Sequence, residues 1–208
     1  MTDFADLKTS VAEWANRQDW SDALVTSFVR MAEQKFNAEL RVDRMICNAQ
    51  NTVTQRCATL PDNWLAMDLV QIENPSVPSG FAPIRYIARD EFFKLPDKWA
   101  CRYYTIEGRS IFFGGTPDDV EGREFTIAYF GEVPVFSDTQ QSWLYTKYPS
   151  LYLHAALMHS ALHAVGEEQS AGNMKQLTED EIQKLNALYL RSKASGSRVT
   201  RPRGRSFG

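Results

Sequence analysis

The sequence predicts an α+β fold in which N- and C-terminal helices pack as a bundle around a central β-rich insert, with an extended basic C-terminal arm. Three observations carry this. Apolar residues recur at three- and four-residue steps near both ends of the chain. Between those stretches, β-branched and aromatic residues alternate in short runs bounded by Gly, Pro, Asn and Asp. After Lys193 the composition turns to Ser, Gly, Arg and Pro, which buries too little surface to fold alone. The expected organisation is a single domain over 1–190, with helices over 3–40 and 149–190 and an insert over 43–131, then a flexible basic arm over 191–208.

In the first helix, Phe4, Leu7, Val11 and Trp14 share one face. Asp19-Trp20-Ser21-Asp22 interrupts, with Ser21 placed to cap the second helix and Asp22 set against its dipole. That helix carries Leu24, Phe28, Met31, Ala32, Phe36 and Leu40 on its apolar side and Thr26, Arg30, Glu33 and Asn37 on the wet side. Next, Asn51-Thr52-Val53-Thr54 and the Cys57 region alternate as a strand does, and Trp64 to Ile72 is the expected partner. Asn74 to Gly80 is a loop, rich in Pro and Ser. Tyr86 to Leu95 reads as a short helix ended by Pro96.

A β-meander follows. Tyr103-Tyr104-Thr105-Ile106 and Ser110-Ile111-Phe112-Phe113 flank a three-residue hairpin loop, Glu107-Gly108-Arg109. Phe125 to Phe130 is its third strand. Pro149 suits a first helical position. The segment Leu151 to Val165 is apolar nearly all round, so Leu151, Tyr152, Leu153, His154, Leu157 and Met158 must be covered, either in the chain's own core or by another subunit. Thr178 and Glu181 have capping-box spacing before Ile182, Leu185, Leu188 and Tyr189.

Composition narrows the function classes. With 43% hydrophobic and 24% charged residues over 208 positions, the chain has the make-up of a globular protein. The N-terminal residues show no signal-peptide pattern, and no apolar run reaches the roughly 18–20 residues a membrane span needs. A soluble protein is expected, without membrane partners. Cys47, Cys57 and Cys101 have neither zinc-ligand nor disulfide-framework spacing. Charge is placed unevenly: residues 1–190 hold 17 basic and 26 acidic residues, a balance of −9, whereas 191–208 hold six basic and no acidic ones. An acidic body and a basic tail meet different partners.

Candidate chemistry is sparse. His159 and His163 stand four apart on a predicted helix, but the Glu and third ligand of a zinc site do not accompany them. Gly114-Gly115 is not followed by Lys-Ser/Thr and reads as a turn, with Thr116-Pro117-Asp118-Asp119 in a loop. No nucleophile motif is recognisable. Expected, then, are no catalytic residue, no metal and no cofactor. In the tail, Arg198, Arg201, Arg203, Arg205 and Phe207 form a docking arm: arginines for acidic grooves, and the terminal aromatic as an apolar anchor. The alternative is a DNA-binding or DNA-processing protein whose tail contacts phosphates.

Taken in order, several segments resemble the head-to-tail adaptor, or head-completion, proteins of tailed bacteriophages, including the tail tubular protein A group of short-tailed phages. They are Leu7-Lys8-Thr9 to Arg17, Phe28 to Glu33 with Glu39-Leu40-Arg41, Leu60-Pro61-Asp62-Asn63-Trp64 and the hairpin Tyr104 to Ile111. The fullest likeness runs through Tyr129-Phe130-Gly131-Glu132-Val133-Pro134, Trp143-Leu144 and Tyr148 to Leu157. Ser142 departs from the family's usual Asn, and Gln169 to Asn173 replaces a run of acids and aromatics.

The resemblance implies a structural virion connector at the head–tail interface, assembled in the host cytoplasm. It implies a homo-oligomeric ring, usually a dodecamer, that binds the portal protein, presents a platform to the tail nozzle or tail tube protein, and extends the DNA ejection channel. The arm would grip the portal, and DNA would pass through the lumen without specific binding. An acidic wall fits that passage, because it repels phosphate.

Overall fold

The computed structural model describes residues 3–94, 101–164 and 166–196. Its helices are α1 (Phe4–Trp14), α2 (Asp22–Glu39), α3 (Arg89–Phe92), α4 (Pro117–Val120), α5 (Trp143–Lys147), α6 (Pro149–His163) and α7 (Glu168–Gly196). Its strands are β1 (Ile46–Thr52), β2 (Cys57–Thr59), β3 (Trp64–Glu73), β4 (Phe81–Pro83), β5 (Arg85–Tyr86), β6 (Tyr103–Glu107), β7 (Ser110–Phe113) and β8 (Glu124–Gly131). The content is mixed helix and sheet, an α+β chain. Two compact units divide it: residues 1–43 with 133–208, and residues 44–132.

The first unit is helical. Asp3 caps α1 by accepting the Asp6 amide at 2.8 Å, and Ser21 caps α2 by accepting that of Leu24 at 3.3 Å. Phe4, Leu7 and Val11 are buried, but Trp14, the last residue of α1, is 63% exposed. On α2 the buried residues are Val25, Phe28, Val29, Ala32, Glu33 and Phe36. The buried stripe is therefore rotated from the expected one: Met31 faces out and Glu33 faces in. The helix α6 starts at Pro149 and packs against α1, α2, α5 and α7.

The last helix corrects the sequence reading. Thr178 does not start a helix; it lies inside the 29-residue α7, fully buried, its hydroxyl donating to the Met174 carbonyl at 2.8 Å. Thr178, Ile182, Leu185 and Tyr189 form one buried stripe at four- and three-residue steps, and Leu188 falls off it at 56% exposure. Local capping propensity lost to a continuous packed face. The same helix carries the chain to Gly196, six residues past the expected boundary at Leu190.

The second unit holds two four-stranded sheets, ordered β1-β8-β3-β4 and β2-β7-β6-β5. Among the described residues every strand pairing is antiparallel except β5 with β6. The expected pairing of the first two strand runs does not form. Instead β8 lies between β1 and β3, with Ala49 and Val70 both opposite Ile127. The meander is also corrected: β6 and β7 form a hairpin, but the third strand β8 joins the other sheet. Its alternation explains why, since Phe125, Ile127 and Tyr129 are buried in a core with Val70, Ile72, Ile111 and Phe113. The hairpin loop is shorter than expected, with Glu107 paired to Ser110 and Gly108 at φ +59°.

Two short helices differ as well. The helix expected over Tyr86–Leu95 is reduced to α3; Arg85 and Tyr86 are instead drawn into β5 by pairing with Tyr103 and Tyr104. The expected stop at Leu95-Pro96 lies outside the described residues. The Thr116–Asp119 segment is a helical turn, α4, rather than a loop, closed by the Asp119 carboxylate accepting from the Thr116 hydroxyl at 2.6 Å.

Candidate docking surfaces

Unit two presents a cleft of about 560 Å³ built from the ends of several strands. Ile72 and Glu73 close β3, Ala82 and Pro83 come from β4, Arg85 from β5, and Cys101, Arg102 and Tyr103 from the approach to β6; Arg123 precedes β8. Backbone pairing fixes these positions. The Arg85 amide donates to the Arg102 carbonyl at 3.0 Å, the Cys101 amide to Gly114 at 3.0 Å, and the Val53 amide to the Arg123 carbonyl at 2.9 Å. The Arg123 guanidinium reaches the Glu73 carbonyl at 3.3 Å. Burial pushes the Cys101 thiol up from its ordinary value, so it stays protonated beside the three guanidinium groups. Such a surface is suited to anions, and its protonated thiol is not an activated nucleophile.

In the helical unit a buried polar network centres on Glu33. One carboxylate oxygen accepts the Phe136 amide at 2.7 Å and the Tyr152 hydroxyl at 3.4 Å, while the other accepts Arg30 at 2.6 Å. Arg30 also donates to the Phe136 carbonyl at 2.8 Å, and Tyr152 meets the Ser142 hydroxyl at 3.0 Å. Around it, Phe136 lies 4.5 Å from Tyr145 and 5.8 Å from Tyr152 between ring centroids. Burial holds the Tyr152 phenol well above its usual range. Both carboxylate oxygens are occupied, so the network ties α2 to the 133–142 segment and α6 and leaves no free base. Sequence reasoning placed Glu33 on the wet face and missed this role. The available signal was Arg30 three positions before it on the same helix face.

The expected site residues are distributed as follows. Leu151, Tyr152, Leu153, Leu157 and Met158 are all buried within the helical unit at 5% exposure or less. His154 is half-buried, its Nδ1 3.5 Å from a Glu181 carboxylate oxygen. Arg198, Arg201, Arg203, Arg205 and Phe207 lie outside the described residues. Of the two remaining histidines, His163 packs its ring against Phe28 at 5.6 Å and Trp20 at 6.4 Å. His159 is pushed below its ordinary value by burial and by Lys35. Among the described residues no group of three His, Cys, Asp or Glu side chains is placed to hold a metal ion. Nor, among them, is any helix long and apolar enough to cross a membrane. The three cysteines are free thiols.

Comparison with known proteins bears on what such surfaces serve. No curated protein matches the chain. A family model does: that described as SU10 adaptor protein matches residues 2–205, from the first helix through both units and into the basic C-terminal segment. That extent decides the matter, and the chain belongs to the SU10 adaptor protein family, a family of structural bacteriophage proteins.

Proposed function

We propose that the chain is a non-catalytic connector of the virion, a ring-forming adaptor that joins the portal to the tail and extends the DNA channel, as the likeness to the tail tubular protein A group implies. The observation that carries this reading is the adaptor-family match over residues 2–205. Three further features support it. Within the helical unit α1, α2 and α7 each contact α6, and the Glu33 network ties α2 to the 133–142 segment and α6, which supports a bundle on which contacts can be mounted. Residues 1–190 carry a balance of −9, which repels rather than holds a passing phosphate backbone. The C-terminal segment concentrates basic residues and ends near Phe207, and we assign it to gripping the portal. The ring contact requires two different patches on each copy, since head-to-tail association closes only through heterologous surfaces.

The test is assembly. The full-length chain mixed with portal protein is expected to form a ring on it, seen by electron microscopy. Deletion of Arg198–Gly208 is expected to abolish docking while leaving the circular dichroism spectrum and melting transition unchanged. Undiminished docking by the truncated chain rules out the gripping arm, and failure of the intact chain to form any annulus on portal rules out the connector.

A further inference from the structure

We infer that the arginine-lined cleft of residues 44–132 is a docking site for an extended acidic segment of a partner protein, whose carboxylates it takes on Arg85, Arg102 and Arg123. Charge placement is the first reason. This unit holds nine basic and twelve acidic residues, a net deficit of positive charge, yet three of the nine guanidinium or ammonium groups line one concavity. Elsewhere on the unit two arginines are neutralised: Arg89 pairs with Glu107 at 2.9 Å, and Arg109 pairs with Asp62. Among the described residues, Arg85 and Arg102 have no such carboxylate. Two exposed guanidinium forks, one on β5 and one on the residue before β6, joined by the Arg85 amide donating to the Arg102 carbonyl and left unpaired, are suited to bidentate recognition of oxyanions.

The cleft's shape and second charge select a protein segment over a nucleic acid. A hollow of about 560 Å³ admits a few side chains but not a duplex. Glu73 stands in the wall, which penalises the dense charge of a nucleic-acid backbone more than the carboxylates of one short extended segment. Ile72, Ala82, Pro83 and Tyr103 supply apolar surface for side-chain stems. The strands β4 and β5 that flank the cleft are each the outermost strand of their sheet, where an extended peptide finds room to lie. The inference stands on this cleft alone and does not need the connector reading.

A fluorescently labelled hexaglutamate peptide is the probe, titrated into full-length protein at low and physiological salt. Saturable binding is expected, weakened by salt, and lowered at least tenfold in R85Q/R102Q. Both positions are exposed, so that variant is expected to keep the wild-type melting transition, which is checked alongside. A duplex oligonucleotide and inorganic phosphate serve as comparisons. Equal hexaglutamate binding by the variant, no binding by wild type at millimolar peptide, or a tighter oligonucleotide complex lost in the same variant would each overturn the site. None of these outcomes touches portal docking by the intact chain, so the two readings fail separately.

Discussion

Glu33 is 4% exposed, and its carboxylate satisfies a backbone amide, an arginine and a tyrosine hydroxyl drawn from three separate stretches of chain. Removing it strands the Phe136 amide and Arg30 without their acceptor. Glu33→Ala is therefore expected to cost about 3 kcal/mol, and Glu33→Gln, which keeps a carbonyl for the amide, about half of that. Urea denaturation of the three proteins checks the order; equal midpoints would show the network to be ornamental. His159 carries a pH-dependent penalty. Burial lowers its affinity for a proton in the folded state, while the unfolded chain protonates near the ordinary value of 6.5. As pH falls through that value the unfolded state binds more protons, so stability is lost on the acid side and unaffected above it. His159→Gln is expected to narrow the difference in urea midpoint between pH 7.5 and pH 5.5; an unchanged difference would remove His159 as its source. For Glu33 the one local hint was Arg30 three positions earlier, and for His159 no neighbour in sequence marked the role. Glu33 sits among residues that suit a wet face, and only the 133–152 segments supply what makes burial tolerable.

At the scale of elements, periodicity served well where one face decides burial. The start of α1, the cap and length of α2, and Pro149 opening α6 were all legible, because each depends on residues within a few positions of one another. Strands were legible as strands but not as partners. The run from Ile46 and the run from Trp64 are separated only by the short β2, yet each takes an edge of β8, a strand more than fifty residues beyond both. Pairing is settled by which edge is free and which side chains fill the core: Phe125 stands opposite Ile72, Ile127 opposite Val70 and Tyr129 opposite Met67. The α7 error has the same origin. Thr178 and Glu181 satisfy a capping rule, but Ala171, Thr178, Leu185 and Tyr189 are all buried along one continuous helix, and that burial outweighs a local cap.

For the whole molecule, charge is the most informative property. The balance of −9 over 1–190 against six basic residues beyond it belongs to composition and needs no coordinates. It predicts weak association with DNA: in a titration of full-length protein against duplex at two salt concentrations, only low-affinity binding is expected at physiological salt. A tight complex with a steep salt dependence would favour the DNA-binding alternative instead. The cleft tempers this picture, since a unit of negative balance still gathers three arginines at one place.

By itself the sequence determined the order of helical and β-rich stretches, the separation of acidic body from basic tail, the absence of a recognisable catalytic motif, and a likeness to phage adaptors that the family match bears out. These are properties of composition, local periodicity and ordered motifs, so they survive without knowledge of what touches what. Tertiary structure alone decided the division into two units, the seat of β8 between β1 and β3, the burial of Glu33 and Thr178, and the meeting of Arg85, Arg102 and Arg123 in one hollow. Each of these depends on contacts between residues far apart in the chain, whose free energy exists only once the intervening segments have folded.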